Sequence, residues 1–455
     1  MNTSLSILPW VLGIGSAALL SSYLAGRFRE DDGASTVFLP GATTHGHYQI
    51  EMKCTACHEP WGGVREQSCI DCHGSALAAA KDSHPMAKFT DPRNADRLNT
   101  IAADKCITCH IEHRPEATTA MGVTQPIDYC FHCHADVAQE RPSHEGMSFA
   151  TCLNVGCHNY HDNTALYEDF LAKHASEPAQ LLRALLPERT KVHGHGQAPK
   201  DAAHGVPMTA SLSSAQHDGR LPSGPNADKI LNDWAASAHA AAAVNCTSCH
   251  GKETEWRDQP GMDSCTECHK QENEGFLAGL HGMRLAQGLP AMQPGQARLP
   301  MQEKSAHLSL TCNSCHSPHD SDTRRAAVES CLQCHADNHS LAYKESSHYQ
   351  LWLSEISGKT PAGSGVSCAT CHMPRETHVK GELTTVSVQH NQSMNLRPVE
   401  KMARGVCINC HGLGFSLDSL ADPKLGPTNF DGHPEHHIES IEMVLSRRKA
   451  SAKKQ

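Results

Sequence analysis

Cys54-Thr55-Ala56-Cys57-His58 sets two thiols two residues apart, with an imidazole directly after the second, and this unit recurs along the chain. It returns at Cys69, Cys72 and His73, then at Cys106, Cys109 and His110, and again at Cys130, Cys133 and His134. Further along it stands at Cys246/Cys249/His250, Cys265/Cys268/His269, Cys312/Cys315/His316, Cys331/Cys334/His335, Cys368/Cys371/His372 and Cys407/Cys410/His411. An eleventh unit, Cys152, Cys157 and His158, has a four-residue spacer. Together the eleven consume all 22 cysteines. Nothing else in the sequence limits the fold as tightly, because every thiol is committed to one local arrangement.

Such a unit is the attachment signature for c-type haem. Each thiol adds to one porphyrin vinyl group, and the next residue offers its imidazole to the iron from the proximal side. Zinc ribbons also use Cys-x-x-Cys, but they need two pairs per metal and no histidine directly after each. A disulfide framework carries no histidine rule and is foreign to a chain of this length. The reading is a multihaem cytochrome c with eleven covalently attached haem c groups.

The composition fits a core made of porphyrin. Aromatic residues are 5% of the 455 and mean hydropathy is −0.46, too little for an ordinary core of this size. The expected fold is mostly α with extensive coil: short helices and loops wrapped around stacked haems, almost without sheet, plus one N-terminal transmembrane helix. The formal charge of −10 disfavours nucleic acid as a partner and suits positively charged redox proteins, although acidic solubility explains it equally well.

In chain order, residues 1–30 read as a membrane anchor. Leu5 to Ala25 is an uncharged run of 21 residues, long enough to span a bilayer; a cleaved signal peptide is the alternative. Residues 40–190 form a five-haem block, with its motifs packed into the 105 residues from Cys54 to His158. Within it, Thr164 to Leu186 reads as helix, kinked or divided at Pro178. Residues 191–227, rich in Gly, Pro, Ser and His, read as a flexible linker; its His193, His195, His204 and His217 read mostly as solvated, with distal ligation or a metal-binding tract as the alternatives. Residues 228–440 form a six-haem block, entered by a helix over Asp228 to Val244. Two motif pairs repeat there at a spacing of 19, Cys246 to Cys265 and Cys312 to Cys331, pointing to a di-haem unit. Residues 441–455 are a basic tail, read as a frayed terminus.

Of 34 histidines, eleven close the motifs and 23 remain as candidate distal ligands. Doubly ligated, low-spin iron without an open face follows from that surplus. His45 and His47 precede the first motif. His113 and His319 lie three residues after a proximal histidine and therefore serve a neighbouring haem, as does His132 between Cys130 and Cys133. His84, His144, His161 and His174 complete the set for the first block, and His239, His281, His307, His348, His378 and His390 that for the second.

The first block resembles the small multihaem cytochromes of the c3/c7 type, in motif spacing, extra histidines and the four-residue spacer, and that resemblance implies electron transfer. In the second block, Gly365-Val366-Ser367-Cys368-Ala369-Thr370-Cys371-His372-Met373-Pro374, the approach through Ser347-His348-Tyr349-Gln350-Leu351-Trp352 and the preceding Cys331–His335 motif resemble the hydroxylamine oxidoreductase and multihaem nitrite reductase superfamily. That resemblance implies redox chemistry on a small nitrogen or sulfur compound at one open haem. The chain departs from the superfamily in having no Cys-x-x-Cys-Lys motif and no tyrosine after Tyr349 to cross-link a haem.

The expected function is electron transfer along a haem chain, between a membrane quinol-linked partner and a periplasmic or extracellular acceptor. The body would lie in the periplasm of a bacterium, tethered to the inner membrane by its N-terminal helix. The alternative is an oxidoreductase acting on nitrite, hydroxylamine or a sulfur oxyanion. No catalytic residue is singled out.

Overall fold

The computed structural model describes residues 8–29, 39–118, 123–124, 127–141, 144–147, 160–164, 166–182, 185–187, 218–396 and 400–454. The motif at Cys152, Cys157 and His158 and the four linker histidines lie outside them. Short helices joined by coil dominate, as the haem-cored reading expects, and strands are few.

The N-terminal apolar run forms helix α1 (Leu8–Arg29), but among the described residues no helix is long and apolar enough to cross a membrane. This corrects the expected transmembrane helix. Pro9, Gly13, Gly15, Ser16, Ser21 and Ser22 dilute the apolar content of the run. Leu12, Ile14, Leu19, Leu20 and Tyr23 of α1 are exposed.

The chain divides into two compact units, and the division falls inside helix α2 (Glu66–Ala80), between Asp71 and Cys72. The first unit holds residues 1–71 and 89–126. A two-residue hairpin, β1 (His58–Glu59) with β2 (Gly63–Val64), follows its first motif. Gly41 runs so close to the His113 backbone that a Cβ there would sit 2.4 Å from the His113 carbonyl oxygen, so only glycine fits.

The second unit holds residues 72–88 and 127–455. Its aliphatic core gathers Leu166 and Leu171, Ala403, Leu413 and Leu417, Ile441 and Val444. These come from helix α3 (Glu168–His174), helix α4 (Leu413–Ala421), helix α5 (Ser440–Lys454) and the residues around them. The expected long helix over Thr164 to Leu186 is thus confined to seven residues, because Pro178 and the chain after it are used otherwise. The basic tail is not frayed: Ile441 and Val444 anchor α5 in the core, Arg447 donates to the Glu145 carbonyl at 2.7 Å, and Arg448 pairs with Asp169.

Pro178, Ala179 and Leu181 clasp the last haem motif. Gly412 N–H donates to Pro178 O (3.1 Å), Leu181 N–H donates to Cys410 O (2.9 Å), and His411 Nδ1 lies 3.1 Å from Ala179 O. A Cβ on Gly412 would lie 2.5 Å from the Pro178 oxygen, so this approach also requires glycine. The expected helix over Asp228 to Val244 is two helices, Ala227–Ala235 and Ala238–Ala241, because the Ser237 side chain accepts from Ala240 N–H and starts a new one. Antiparallel strands β3 (Arg375–Lys380) and β4 (Leu383–Val388) make a six-residue hairpin after the tenth motif.

Candidate functional site

Most motifs fold as one helical turn. The motif histidine donates its N–H to the carbonyl of the first cysteine: His110 to Cys106 (2.9 Å), His269 to Cys265 (2.9 Å), His316 to Cys312 (3.0 Å), His335 to Cys331 (2.9 Å) and His411 to Cys407 (2.8 Å). One turn brings residues i, i+3 and i+4 to one face, so both sulfurs and the imidazole look the same way. Capping supports the turn at Cys312 through Thr311 and Ser314, and at Cys368 through Ser367 and Thr370.

The second motif is built differently from that common turn. Cys69, Cys72 and His73 lie inside the longer helix α2, where Cys72 is exposed. At the third motif the Cys106 N–H donates to the Glu66 carboxylate (2.9 Å). The Cys109 carbonyl accepts both the N–H (2.7 Å) and the hydroxyl (2.9 Å) of Thr124, which pins the end of the turn. Cys109 itself is half-buried.

Eight motif imidazoles face a second imidazole from elsewhere in the chain. Ring-centre separations are 6.4 Å for His58/His113, 6.0 Å for His134/His84, 6.1 Å for His269/His239 and 6.2 Å for His250/His319. The other four are His335/His281 at 6.2 Å, His316/His390 at 6.2 Å, His372/His339 at 6.0 Å and His411/His348 at 6.3 Å. The rings are too far apart to touch. Two metal–nitrogen bonds of about 2.0 Å, with each nitrogen about 1.1 Å from its ring centre, require about 6.2 Å between centres. The spacing therefore fits an iron held between two imidazoles. Among the described residues no group of three or more His, Cys, Asp or Glu side chains is placed to hold a bare metal ion. Donors arranged in twos suit a metal whose remaining four ligands belong to a porphyrin, and they do not suit a zinc ribbon.

The outer imidazoles are fixed through Nδ1. His84 Nδ1 lies 2.6 Å from Tyr160 O, His113 Nδ1 2.7 Å from Gly41 O, His239 Nδ1 3.2 Å from Pro318 O, His339 Nδ1 2.6 Å from Gly426 O, and His390 Nδ1 2.9 Å from Val388 O. A carbonyl at Nδ1 puts the proton there and leaves Nε2 as the metal-binding nitrogen. His339 has a further neighbour, Asn429 Nδ2, 3.3 Å from its Nε2. Burial holds the imidazoles of His281 and His372 neutral, pushing each down to about 4, and neutral imidazole is the form that binds metal.

The cysteines of the second unit form a row in chain order. Cys249 neighbours Cys265 and Cys268. The Cys265 and Cys312 thiols are in hydrogen-bond contact, as are those of Cys331 and Cys368. Cys315 neighbours Cys331 and Cys334, and Cys371 neighbours Cys407 and Cys410. In the first unit Cys69 contacts Cys106. The 19-residue repeat has a structural counterpart: Ser264 Oγ donates to Cys249 O (2.9 Å) and Ser330 Oγ to Cys315 O (2.6 Å).

Seven of the histidines singled out from sequence as distal candidates stand in these pairs: His84, His113, His239, His281, His319, His348 and His390. Sequence reasoning missed His339, although its place four residues after His335 parallels His113 and His319. The other candidates sit differently. His45, His132 and His307 are exposed, and His144 is half-buried. His161 Nδ1 lies 3.3 Å from Asp82. His47 and His174 bond Glu112 and Glu177, each at 2.6 Å. His378 lies on β3 with its Nε2 3.1 Å from both Gln271 Nε2 and Ser387 Oγ.

Residues 46–135 match the family model of cytochrome c3, a span that carries the first four motifs. A search of curated proteins found no match. That match supports a multihaem c-type cytochrome reading, the cytochrome c3 family implies covalently bound haem c, and a cytochrome c3-like part suggests electron transfer. The likeness of the second block to hydroxylamine oxidoreductases has no counterpart in these comparisons.

Proposed function

We propose that this protein carries electrons along eleven haems, each iron held between two protein imidazoles. The observation that carries the reading is the set of eight imidazole pairs at 6.0–6.4 Å. When bound, haem c supplies an iron that takes up and gives back one electron. The chain's own residues do the rest. His58, His134, His250, His269, His316, His335, His372 and His411 are the proximal ligands of eight sites, and His113, His84, His319, His239, His390, His281, His339 and His348 close their second faces. His73, His110 and His158 are the proximal ligands of the other three. With both faces filled, an iron has no position for substrate or water, which separates electron transfer from catalysis. The contacts between consecutive motifs in the second unit keep neighbouring sites within van der Waals reach, as a conducting row requires.

The body belongs on the periplasmic or extracellular side, where haem c is attached to thiols. The exposed Leu12, Ile14, Leu19 and Leu20 of α1 suit association with a membrane surface, which would bring the row within reach of a quinol-oxidising partner; the acceptor would be a soluble or extracellular redox protein.

The test is the EPR and optical spectrum of the purified protein, oxidised and then reduced under carbon monoxide, with the haem count taken from intact mass. Eleven haems, all low-spin and unaltered by carbon monoxide, are expected. A high-spin fraction near one in eleven that binds carbon monoxide would replace this reading by catalysis at an open haem, with nitrite and hydroxylamine the first substrates to try.

A further inference from the structure

Two histidines outside the eight pairs are held in a way the paired ones are not. His47 Nδ1 lies 2.6 Å from Glu112 Oε1, while Glu112 Oε2 accepts the Thr44 N–H at 2.7 Å. His174 Nδ1 lies 2.6 Å from Glu177 Oε1, while Glu177 Oε2 accepts the Leu413 N–H at 3.2 Å. The two sites lie in different compact units and share one wiring: one carboxylate oxygen on an imidazole, the other pinned by a backbone amide. Thr44 Oγ1 adds a bond to Glu112 Oε1 at 2.9 Å. In both, the group hydrogen-bonded at Nδ1 is a carboxylate, where for His84, His113, His239, His339 and His390 it is a backbone carbonyl.

Other histidine–carboxylate contacts differ in kind: among the paired histidines, His335 Nδ1 lies 3.7 Å from Asp337 and His269 Nδ1 3.9 Å from Glu272, both beyond hydrogen-bond distance. His437 engages Asp418 through Nδ1 (3.0 Å) and Glu442 through Nε2 (3.5 Å), so both nitrogens are used in an exposed ion pair. His161 reaches Asp82 only at 3.3 Å.

We infer that His47 and His174 are axial ligands of two haems of the first block, and that Glu112 and Glu177 are positioning residues that give those haems the lowest reduction potentials in the chain. A carboxylate that accepts the Nδ1 proton of a ligating imidazole makes that imidazole a stronger donor and favours the ferric over the ferrous iron. A backbone carbonyl does the same more weakly, because it carries no formal charge. Electrons therefore meet these two haems as uphill steps, and the haems lacking a carboxylate fill first. The inference rests on the doubly ligated electron-transfer reading above.

The test is a potentiometric titration of the full-length holoprotein, followed optically and by EPR, for Glu112→Gln, Glu177→Gln and, as control, Glu376→Gln, whose carboxylate touches His378 only at 3.8 Å on the β3–β4 hairpin. Gln keeps an oxygen for Nδ1 and removes the charge. Each of the first two variants is expected to raise the lowest part of the titration by one haem's worth of amplitude, with all iron still low-spin, and the control to leave the curve in place. In parallel, His47→Ala and His174→Ala are each expected to create one high-spin haem that binds carbon monoxide. Superimposable titrations of Glu112→Gln, Glu177→Gln and the unaltered protein would overturn the proposal while leaving the parent reading intact, as would His variants with no carbon monoxide-binding haem. A carbon monoxide-binding haem in the unaltered protein would overturn the parent reading instead.

Discussion

The rings of His250 and His319 lie 6.2 Å apart and within 3° of parallel, whereas those of His134 and His84 lie 6.0 Å apart and cross at 90°. In the parallel case both imidazole π systems act on the same iron d orbital and split it from its partner. In the crossed case they act on different orbitals and leave the two nearly degenerate. The low-spin EPR of the oxidised protein should therefore contain a rhombic class, to which the Cys246/Cys249 haem belongs, and a highly anisotropic class that includes the Cys130/Cys133 haem. His319→Ala should remove one haem's worth of the first class and His84→Ala one of the second; both losses from a single class would refute the pairing.

His339 is the outer partner of His372, and its Nδ1 is fixed by the Gly426 carbonyl at 2.6 Å. His339→Ala should open the haem at Cys368/Cys371 and yield one carbon monoxide-binding iron per chain. His378→Ala, on the hairpin, should yield none. Carbon monoxide binding in the second variant and not the first would exchange their roles.

Leu171 is almost wholly buried between α3 and the C-terminal helices. Leu171→Ala should cost about 2–5 kcal/mol, read as a lowered thermal midpoint of the holoprotein. The low-spin haem spectrum at ambient temperature should stay as it was, because the cavity opens in an aliphatic cluster. An unaltered thermal midpoint would mean that this cluster is not a stabilising core.

Gly412→Ala should be more disruptive than its single added methyl suggests. The new Cβ would meet the Pro178 oxygen at 2.5 Å and the Glu177 oxygen at 2.9 Å, both backbone atoms with little room to give. The expected cost is about 1–3 kcal/mol, with faster limited proteolysis within residues 177–187. Proteolysis unchanged from the parent protein would show that the segment accommodates the methyl without lifting.

Much of the chemistry was legible in the motifs, because a covalent attachment site is a local pattern: Cys368 to His372 reads the same way in a list of letters as in a helical turn. The surroundings of a motif were less so. Nothing in the letters around Cys72 says that its turn continues into a 15-residue helix, and the bonds from Thr124 to the Cys109 carbonyl span a stretch with no periodic pattern. Partner choice was not legible either. His113 and His319 could be singled out since a histidine three residues past a motif cannot reach round its own porphyrin, but which motif each faces depends on tertiary folding. His339 was missed although it follows the same spacing logic, and His378 was included although its Nε2 lies against Gln271 and Ser387. The clasp at Gly412 left no trace that periodicity could detect, since the stretch read as helix over Thr164 to Leu186 instead gives Pro178, Ala179 and Leu181 to main-chain bonds. The expected frayed tail failed for a related reason: Ile441 and Val444 are too few to look amphipathic, yet they suffice once α3 presents a matching surface.

Main-chain bonds from Pro178, Ala179 and Leu181 to the Cys410–Gly412 turn tie together two stretches of the molecule's larger unit that are far apart in sequence. A break at the intervening Gly- and Pro-rich stretch looks natural on paper, yet it would take the lid off the last haem turn. The six C-terminal motifs are in that sense not a detachable module. Their final turn is completed by a strip of chain synthesised more than two hundred residues earlier, so it can close only after that strip has waited for its counterpart to be made.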